Sequence, residues 1–210
     1  MEIQKKTNLL DRTVLAYKKR SLNHGLSAKG VFWQSSGTQL ARFETLIKAI
    51  IKSDIGGKIS LTDYGCGYGE FYNFIKNKSF MELSNFIGYD IVDTFIYEAK
   101  LKFPQAEWVC SDQITLKTDY VFISGTFNMA FDNSIYEWER FLEDQLKKCF
   151  SYTKKVLAFN LLYSDKSIIE DGLYYTEIDK IFNFCSQNLG GTIISKTKGA
   201  NKDITIFVSK

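Results

Sequence analysis

Apolar positions recur along this chain with two different periods, and the way the periods alternate predicts the fold class. Leu40, Phe43, Leu46, Ile47, Ile50 and Ile51 share one face at helical spacing, and Gly56-Gly57 closes that unit. A second helix is predicted from about position 135, where Ile135, Trp138, Phe141, Leu142, Leu146, Cys149 and Phe150 form a stripe and Ser134 with Glu137 spells a capping box. A third, over about 176–188, carries Ile178, Ile181, Phe182 and Cys185. Between these lie short apolar runs of the kind that form strands buried on both faces: Lys58–Tyr64, 85–90, 106–110, 120–124 and 156–162. The runs 192–195 and 204–209 are joined by a polar loop too short for a helical crossover, so they are predicted as antiparallel neighbours. Residues 3–20 read as a further helix, and residues 21–37, with glycine and many small polar residues, as an irregular loop.

Five strands alternating with helices predict an α/β domain: a mostly parallel sheet covered on both faces, ending in an antiparallel hairpin. Such sheets bind ligands beyond the carboxyl ends of the strands, where strand order reverses, so the exit of the first strand is the place to search. A length of 210 residues suits one such domain with a small cap, and we divide it into an N-terminal helical cap or lid, 1–54, and a core, 55–210.

Composition removes several function classes. A formal net charge of +3 is too small to argue for nucleic acid, and the basic groups Lys5-Lys6 and Lys18-Lys19-Arg20 read as a solvated helix face. The four cysteines form no C-x-x-C pair and His24 is the lone histidine, so no metal site is expected. No apolar run approaches the ~18 residues of a membrane span, and the polar start holds no secretory signal. A cytoplasmic protein with no membrane partner is the expectation, as a monomer or homodimer. The abundance of Phe and Tyr, with Pro104 the lone proline, fits an AT-rich bacterial genome.

The chemistry begins where the first strand runs into Asp63-Tyr64-Gly65-Cys66-Gly67-Tyr68-Gly69-Glu70. Glycines let the backbone turn sharply and approach a ligand, and a helix N-terminus beyond offers free N–H groups. In the dinucleotide fingerprint G-x-G-x-x-G the third glycine would fall at position 70, where Glu70 would set a negative charge against a pyrophosphate. A ligand without phosphate tolerates that charge, and a carboxylate such as Asp63 suits a cationic one. Asp90 ends the second strand 21 positions beyond Gly69, the place from which an acidic residue reaches ribose hydroxyls.

The pattern D-x-G-x-G-x-G resembles the first motif of the class I S-adenosylmethionine-dependent methyltransferases, and the likeness covers roughly residues 55–210. It implies a Rossmann-like, seven-stranded, mostly parallel sheet with helices on both faces and a C-terminal antiparallel hairpin. It also implies S-adenosylmethionine as cofactor and S-adenosylhomocysteine as product. Carried onto this sequence, Gly65, Gly67 and Gly69 form the turn, Asp63 holds the methionine end and Asp90 the ribose. Asp112 accepts from the adenine amino group and Ile91 packs on the adenine face. Gly125, in the run Phe122–Asn128 that resembles the fourth motif, lies near the methyl group, with Phe127 and Asn128 facing cofactor or acceptor. The stretch Trp33-x-x-x-x-x-Gln39-x-x-Arg42 is similar to the lid of small bacterial members, where Arg42 would pair with the methionine carboxylate.

Acceptor motifs of several branches are absent. One proline rules out the [DNS]-P-P-[YFW] motif of nucleic-acid amino-methyltransferases, the Pro-Cys of cytosine C5 enzymes is also absent, and the stretch 128–133 holds none of the glutamates of protein arginine methyltransferases. A small-molecule or sugar-type acceptor is expected, in capsule, polysaccharide or natural-product biosynthesis. It would be held under the N-terminal segment and the loop 163–175, with Tyr163 against it and His24 as general base. The competing readings are a nucleotide-dependent oxidoreductase and a non-catalytic methyltransferase-like binding domain.

Overall fold

Odd and even positions of the central strands bury opposite faces, and that alternation builds the layers. In the computed structural model, which describes residues 2–25, 27, 35–79 and 81–210, the chain forms a nine-stranded sheet with strand order β3-β2-β1-β4-β5 at its centre. These strands are β1 (Lys58–Tyr64), β2 (Glu82–Asp90), β3 (Glu107–Cys110), β4 (Thr118–Ile123) and β5 (Thr153–Ser164), all parallel. On β4, Val121 and Ile123 point to one layer while Tyr120 and Phe122 point to the other; on β5, Leu157, Phe159 and Leu161 oppose Val156 and Ala158. Both faces are apolar because helices cover both.

The first layer is closed by α5 (Ile135–Ser151) and α6 (Ile178–Asn188), through Trp138, Leu142, Leu146, Ile181 and Cys185. The second is closed by α2 (Ser36–Leu46), α3 (Glu70–Ile75) and α4 (Asp93–Lys102), through Phe43, Leu46, Phe71, Ile75, Ile96 and Ala99. Of the expected stripe, Phe43 and Leu46 are buried on helix α2 while Leu40 and Ile51 are exposed, and the helix ends at Leu46, where a short 3-10 turn over Ile47–Ala49 follows. Its N-terminus has a capping box between Ser35 and Thr38. At α5 the expected box is only half made: the Ser134 hydroxyl accepts the Glu137 N–H at 3.2 Å and donates to the Glu137 carboxylate at 3.0 Å.

The sheet exceeds the expected seven strands by two. The stretch 163–175, expected to be a loop, holds the hairpin β6 (Ile168–Glu170) and β7 (Leu173–Glu177). Asp171 (φ 50°) and Gly172 (φ 76°) make its two-residue turn, since both positions need a positive φ. Strand β7 then runs parallel to the end of β5, with Leu162 opposite Tyr175. The C-terminal strands β8 (Gly191–Lys196) and β9 (Asp203–Ser209) pair antiparallel as expected, with β9 inserted antiparallel beside β5.

Helix α1 (Glu2–His24) is longer than the expected helix over 3–20, so position 24 ends a helix instead of lying in a loop. Two ion pairs tie it down: Arg12 grips Asp132 at 2.9 Å, and Lys18 meets Asp93 at 2.7 Å. Both are exposed, so solvent screens them and neither is a strong source of stability. The deeper contact is Tyr17, whose ring meets Phe95 of α4 edge-on at 6.2 Å.

Candidate functional site

Strand order reverses between β1 and β4, and both strands end at the same cavity. Its volume is about 360 Å³, within the range of small-molecule sites. One wall is the glycine turn. Gly65 and Cys66 donate their N–H groups to the Tyr89 carbonyl at 2.7 and 3.0 Å, which folds the chain back over β2. Gly65 has φ +78°, and a Cβ there would meet Thr126 Oγ1 at 2.1 Å. The turn thus requires glycine twice over, for conformation and for space. Thr126 locks the approach from its side by donating to the Tyr64 carbonyl at 3.0 Å. Gly69, with φ 90°, is the N-cap of α3.

Two carboxylates converge on this turn. Asp63, on β1 between Gly88 of β2 and Phe122 of β4, is 1% exposed, and neither of its oxygens has a hydrogen-bond partner. Burial raises its carboxyl well above the ordinary range, and nearby Asp90 raises it further. Asp90, ending β2, accepts the N–H of Gly67 on Oδ2 and that of Val92 on Oδ1, each at 2.8 Å. Burial pushes its carboxyl up to about 6, against the pull of the backbone N–H groups toward ionisation. Ser124, which follows β4 and lines the same cavity, has a buried hydroxyl without a hydrogen-bond partner. Two acidic groups and a hydroxyl at the lip of a glycine turn form a site for a ligand with a cationic end and hydroxyl donors.

Comparison with known proteins points the same way. No family model matches the chain. A Mycobacterium tuberculosis protein provisionally named a methyltransferase is 28% identical over 156 residues, covering 72% of this chain and 93% of that protein. A SAM-dependent methyltransferase from Leishmania major superposes with TM-score 0.71 at 14% identity, covering 96% of this chain and 83% of that one. The magnesium protoporphyrin IX methyltransferase of Synechocystis PCC 6803, solved with bound SAM, gives TM-score 0.61 at 14% identity, covering 83% of this chain and 80% of that one. The chain has the Rossmann-like fold of these S-adenosylmethionine-dependent methyltransferases.

The site residues expected from the sequence fall into two groups. Asp63, Gly65, Gly67, Asp90, Ile91, Gly125, Phe127, Asn128 and Arg42 all line the one cavity. Gly69, Asp112 and Tyr163 do not. Gly69 packs away from the cavity, toward Trp108 and Phe103. Asp112 offers its backbone carbonyl to the Tyr64 hydroxyl at 3.1 Å, and its neighbour Ser111 takes the place at the cavity wall. Tyr163 lies in a separate depression, under the Lys196 ammonium at 5.5 Å. The side chain of His24, and all of Trp33, lie outside the described residues.

Arg42 is engaged within the protein. Its Nε donates to Asp203 Oδ2 at 2.5 Å, from α2 to the first residue of β9. Burial lowers the guanidinium and raises the carboxyl from their ordinary ranges, and the ion pair opposes both shifts. Asn128 accepts the Leu162 N–H on Oδ1 at 3.2 Å and the Tyr174 N–H on its carbonyl at 2.8 Å, joining the exit of β4 to β5 and β7.

The expected cover, the N-terminal segment and the stretch 163–175, reaches the cavity through side chains not singled out as contacts: Leu10, Thr13 and Tyr17 from α1, and Leu173 and Tyr175 from β7. The Asp171-Gly172 pair between two apolar runs was the available signal for β7. The weakly patterned N-terminal helix offered none. No group of three or more potential metal ligands occurs among the described residues. Among them, no helix is long and apolar enough to cross a membrane.

Proposed function

We propose that this protein transfers the methyl group of S-adenosylmethionine to a small molecule with an apolar body. The observation that carries the reading is the pair of carboxylates at the glycine turn, one buried without a hydrogen-bond partner and one half-buried at the strand end beside it. An ammonium at Asp63 would satisfy its orphaned oxygens, with the Ser124 hydroxyl at hand for a further contact. Asp90, already oriented by two backbone N–H groups, suits two ribose hydroxyl donors. Arg42 suits the methionine carboxylate, and Ile91 and Ser111 frame the place of the base.

The sulfonium supplies an already activated methyl group, so the protein's task is to align the acceptor and exclude water. Helix α1 serves as the cap over that site, with Tyr17 reaching in beside Arg42 of α2. The end of the cavity beyond β4 is walled by Phe127, Met129, Trp138, Phe141 and Leu173. The Trp138 indole N–H is spent on the Phe127 carbonyl at 3.2 Å, so its ring offers surface and no donor. Such walls suit an aromatic or aliphatic acceptor better than a bare sugar, whose hydroxyls would go unmet. Lys202, with its ammonium 5.6 Å from the Tyr175 ring centroid, adds a positive charge at this end.

The test is calorimetric titration with S-adenosylhomocysteine and with NADH, followed by a panel of apolar and glycosidic acceptors assayed for S-adenosylmethionine consumption. Binding of S-adenosylhomocysteine alone, with turnover on the apolar set, is the expected result. In Trp138→Ala, KM for the acceptor should rise while S-adenosylhomocysteine affinity stays. Binding of NADH alone would overturn the reading.

A further inference from the structure

One buried carboxylate ties together two walls of the cavity. Asp203 is 1% exposed. Its Oδ2 accepts from Arg42 Nε at 2.5 Å and from Asn160 Nδ2 at 3.1 Å, and its Oδ1 accepts from the Thr197 hydroxyl at 2.6 Å. Asn160, buried on β5, uses its other end to accept the Gly125 N–H at 2.8 Å. The amide orientation is therefore fixed from both sides, nitrogen to carboxylate and oxygen to N–H. Gly125 holds a left-handed conformation, φ 76°, in the turn that follows β4. The chain of contacts thus runs from α2 through β9 and β5 to the β4 exit, and its two ends, Arg42 and Gly125, both line the cavity.

A buried ion pair is a weak source of stability, because desolvation offsets its attraction. Its geometry is another matter: Asp203, with three donors fixed around it, is a rigid anchor. A guanidinium gripped at Nε by such an anchor has a set plane and direction.

We propose that Asp203 and Asn160 are positioning residues for the amino-acid end of the cofactor. Asp203 sets the Arg42 fork toward the methionine carboxylate, and Asn160, donating to the same Oδ2, holds Asp203 in place. This rests on the methyltransferase reading above, and it reaches residues that the glycine motif does not include.

The experiment compares two ligands in the full-length chain: S-adenosylhomocysteine, and 5′-methylthioadenosine, which keeps the nucleoside and sulfur but lacks the amino acid. Asp203→Asn should weaken S-adenosylhomocysteine by about tenfold or more and move 5′-methylthioadenosine by no more than about twofold. In an Arg42→Leu background, Asp203→Asn should bring no further selective loss, since its effect passes through Arg42. Should Asp203→Asn fail to fold, Thr197→Val removes one donor from the same carboxylate at nearly constant volume, and it should give a smaller loss with the same selectivity. Equal losses for both ligands, or no loss in a folded variant, would overturn the proposal. Failure of the unmodified protein to bind either ligand would instead overturn the functional reading itself.

Discussion

Replacing Asp63 by Asn should make the protein more stable and a poorer binder at once. Asp63 is 1% exposed and neither carboxylate oxygen is hydrogen-bonded. Burial therefore raises its carboxyl well above the ordinary range, with Asp90 adding to the shift. The sign follows from linkage. Between about pH 4, where an unfolded Asp titrates, and the raised folded value, the native state holds a proton that the unfolded state has released. Stability must fall as pH rises through that window. Asn cannot titrate, so the stability difference between Asp63→Asn and the parent should grow by about 1.4 kcal/mol per pH unit inside the window and vanish near its lower end. Asp90 titrates in both proteins and cancels from the difference to first order. Binding moves the other way. An ammonium that loses a buried carboxylate partner forfeits about 2–5 kcal/mol, which is roughly thirtyfold in affinity or more. Urea denaturation of both proteins from about pH 4 to about pH 8, with calorimetric titration of S-adenosylhomocysteine, measures both quantities. A pH-independent stability difference, or a variant less stable than its parent throughout, would refute the picture of an unpartnered buried acid.

Two further expectations concern the same turn. The carboxyl of Asp90 lies at about 6, so the affinity for 5′-methylthioadenosine, which does not reach Asp63, should be level at higher pH. It should fall toward tenfold per unit below that value, as the acceptor of the ribose hydroxyls becomes protonated, and Asp90→Asn should give weak, pH-independent binding. The ligand-free protein should respond oppositely, since a raised carboxyl favours the fold as pH falls toward 4. Gly65→Ala would place a Cβ 2.1 Å from Thr126 Oγ1 at φ +78°. We expect a loss of ~2–5 kcal/mol, of which ~1–2 is the left-handed conformation and ~1–3 the overlap. Adding Thr126→Gly should return only the overlap part in thermal melts, and full recovery would mean that the conformation costs nothing.

The parts of this fold that were legible in the sequence are those where local pattern and tertiary burial agree. The runs Lys58–Tyr64 and 156–162 are apolar on both faces because helices cover both, and such runs read as parallel strands without help. Asp63, Gly65, Gly67 and Asp90 were legible because a tight turn at a strand exit needs particular residues at fixed spacing. The hairpin at 168–177 was not. Its polar positions Glu170, Asp171 and Glu177 resemble a solvated loop, and its pairing with β5 depends on a partner distant in sequence. Arg42 was legible as a cationic candidate, but its partner Asp203 lies 161 positions away, and no local pattern announces a contact of that range. Asp112 illustrates the converse: an acidic residue at the expected strand end does not line the cavity, and its neighbour Ser111 does. A one-residue change in where a short strand ends decides which side chain faces the ligand, and β3 is four residues long.

The buried polar groups as a set explain why the site stands where it does. Buried Thr62, Thr118, Asn160, Thr197, Asp203 and Thr205 all find partners within the protein. The described buried side-chain atoms without a partner are the two oxygens of Asp63 and the hydroxyl of Ser124. All three line one cavity, at the single point where strand order reverses. Unpaired buried polar groups cost about 1–3 kcal/mol each, more when charged, so random placement would scatter them or remove them. Their concentration at a strand switch point is what a fold looks like when part of its hydrogen bonding is left for a ligand to complete. A ligand that supplies those partners stabilises the native state by mass action, ~2.7 kcal/mol at a hundred times its dissociation constant. On the proposed reading, the cost of leaving Asp63 unpaired and the gain on binding are two sides of one interaction, which is why a fold would keep such a carboxylate in its core.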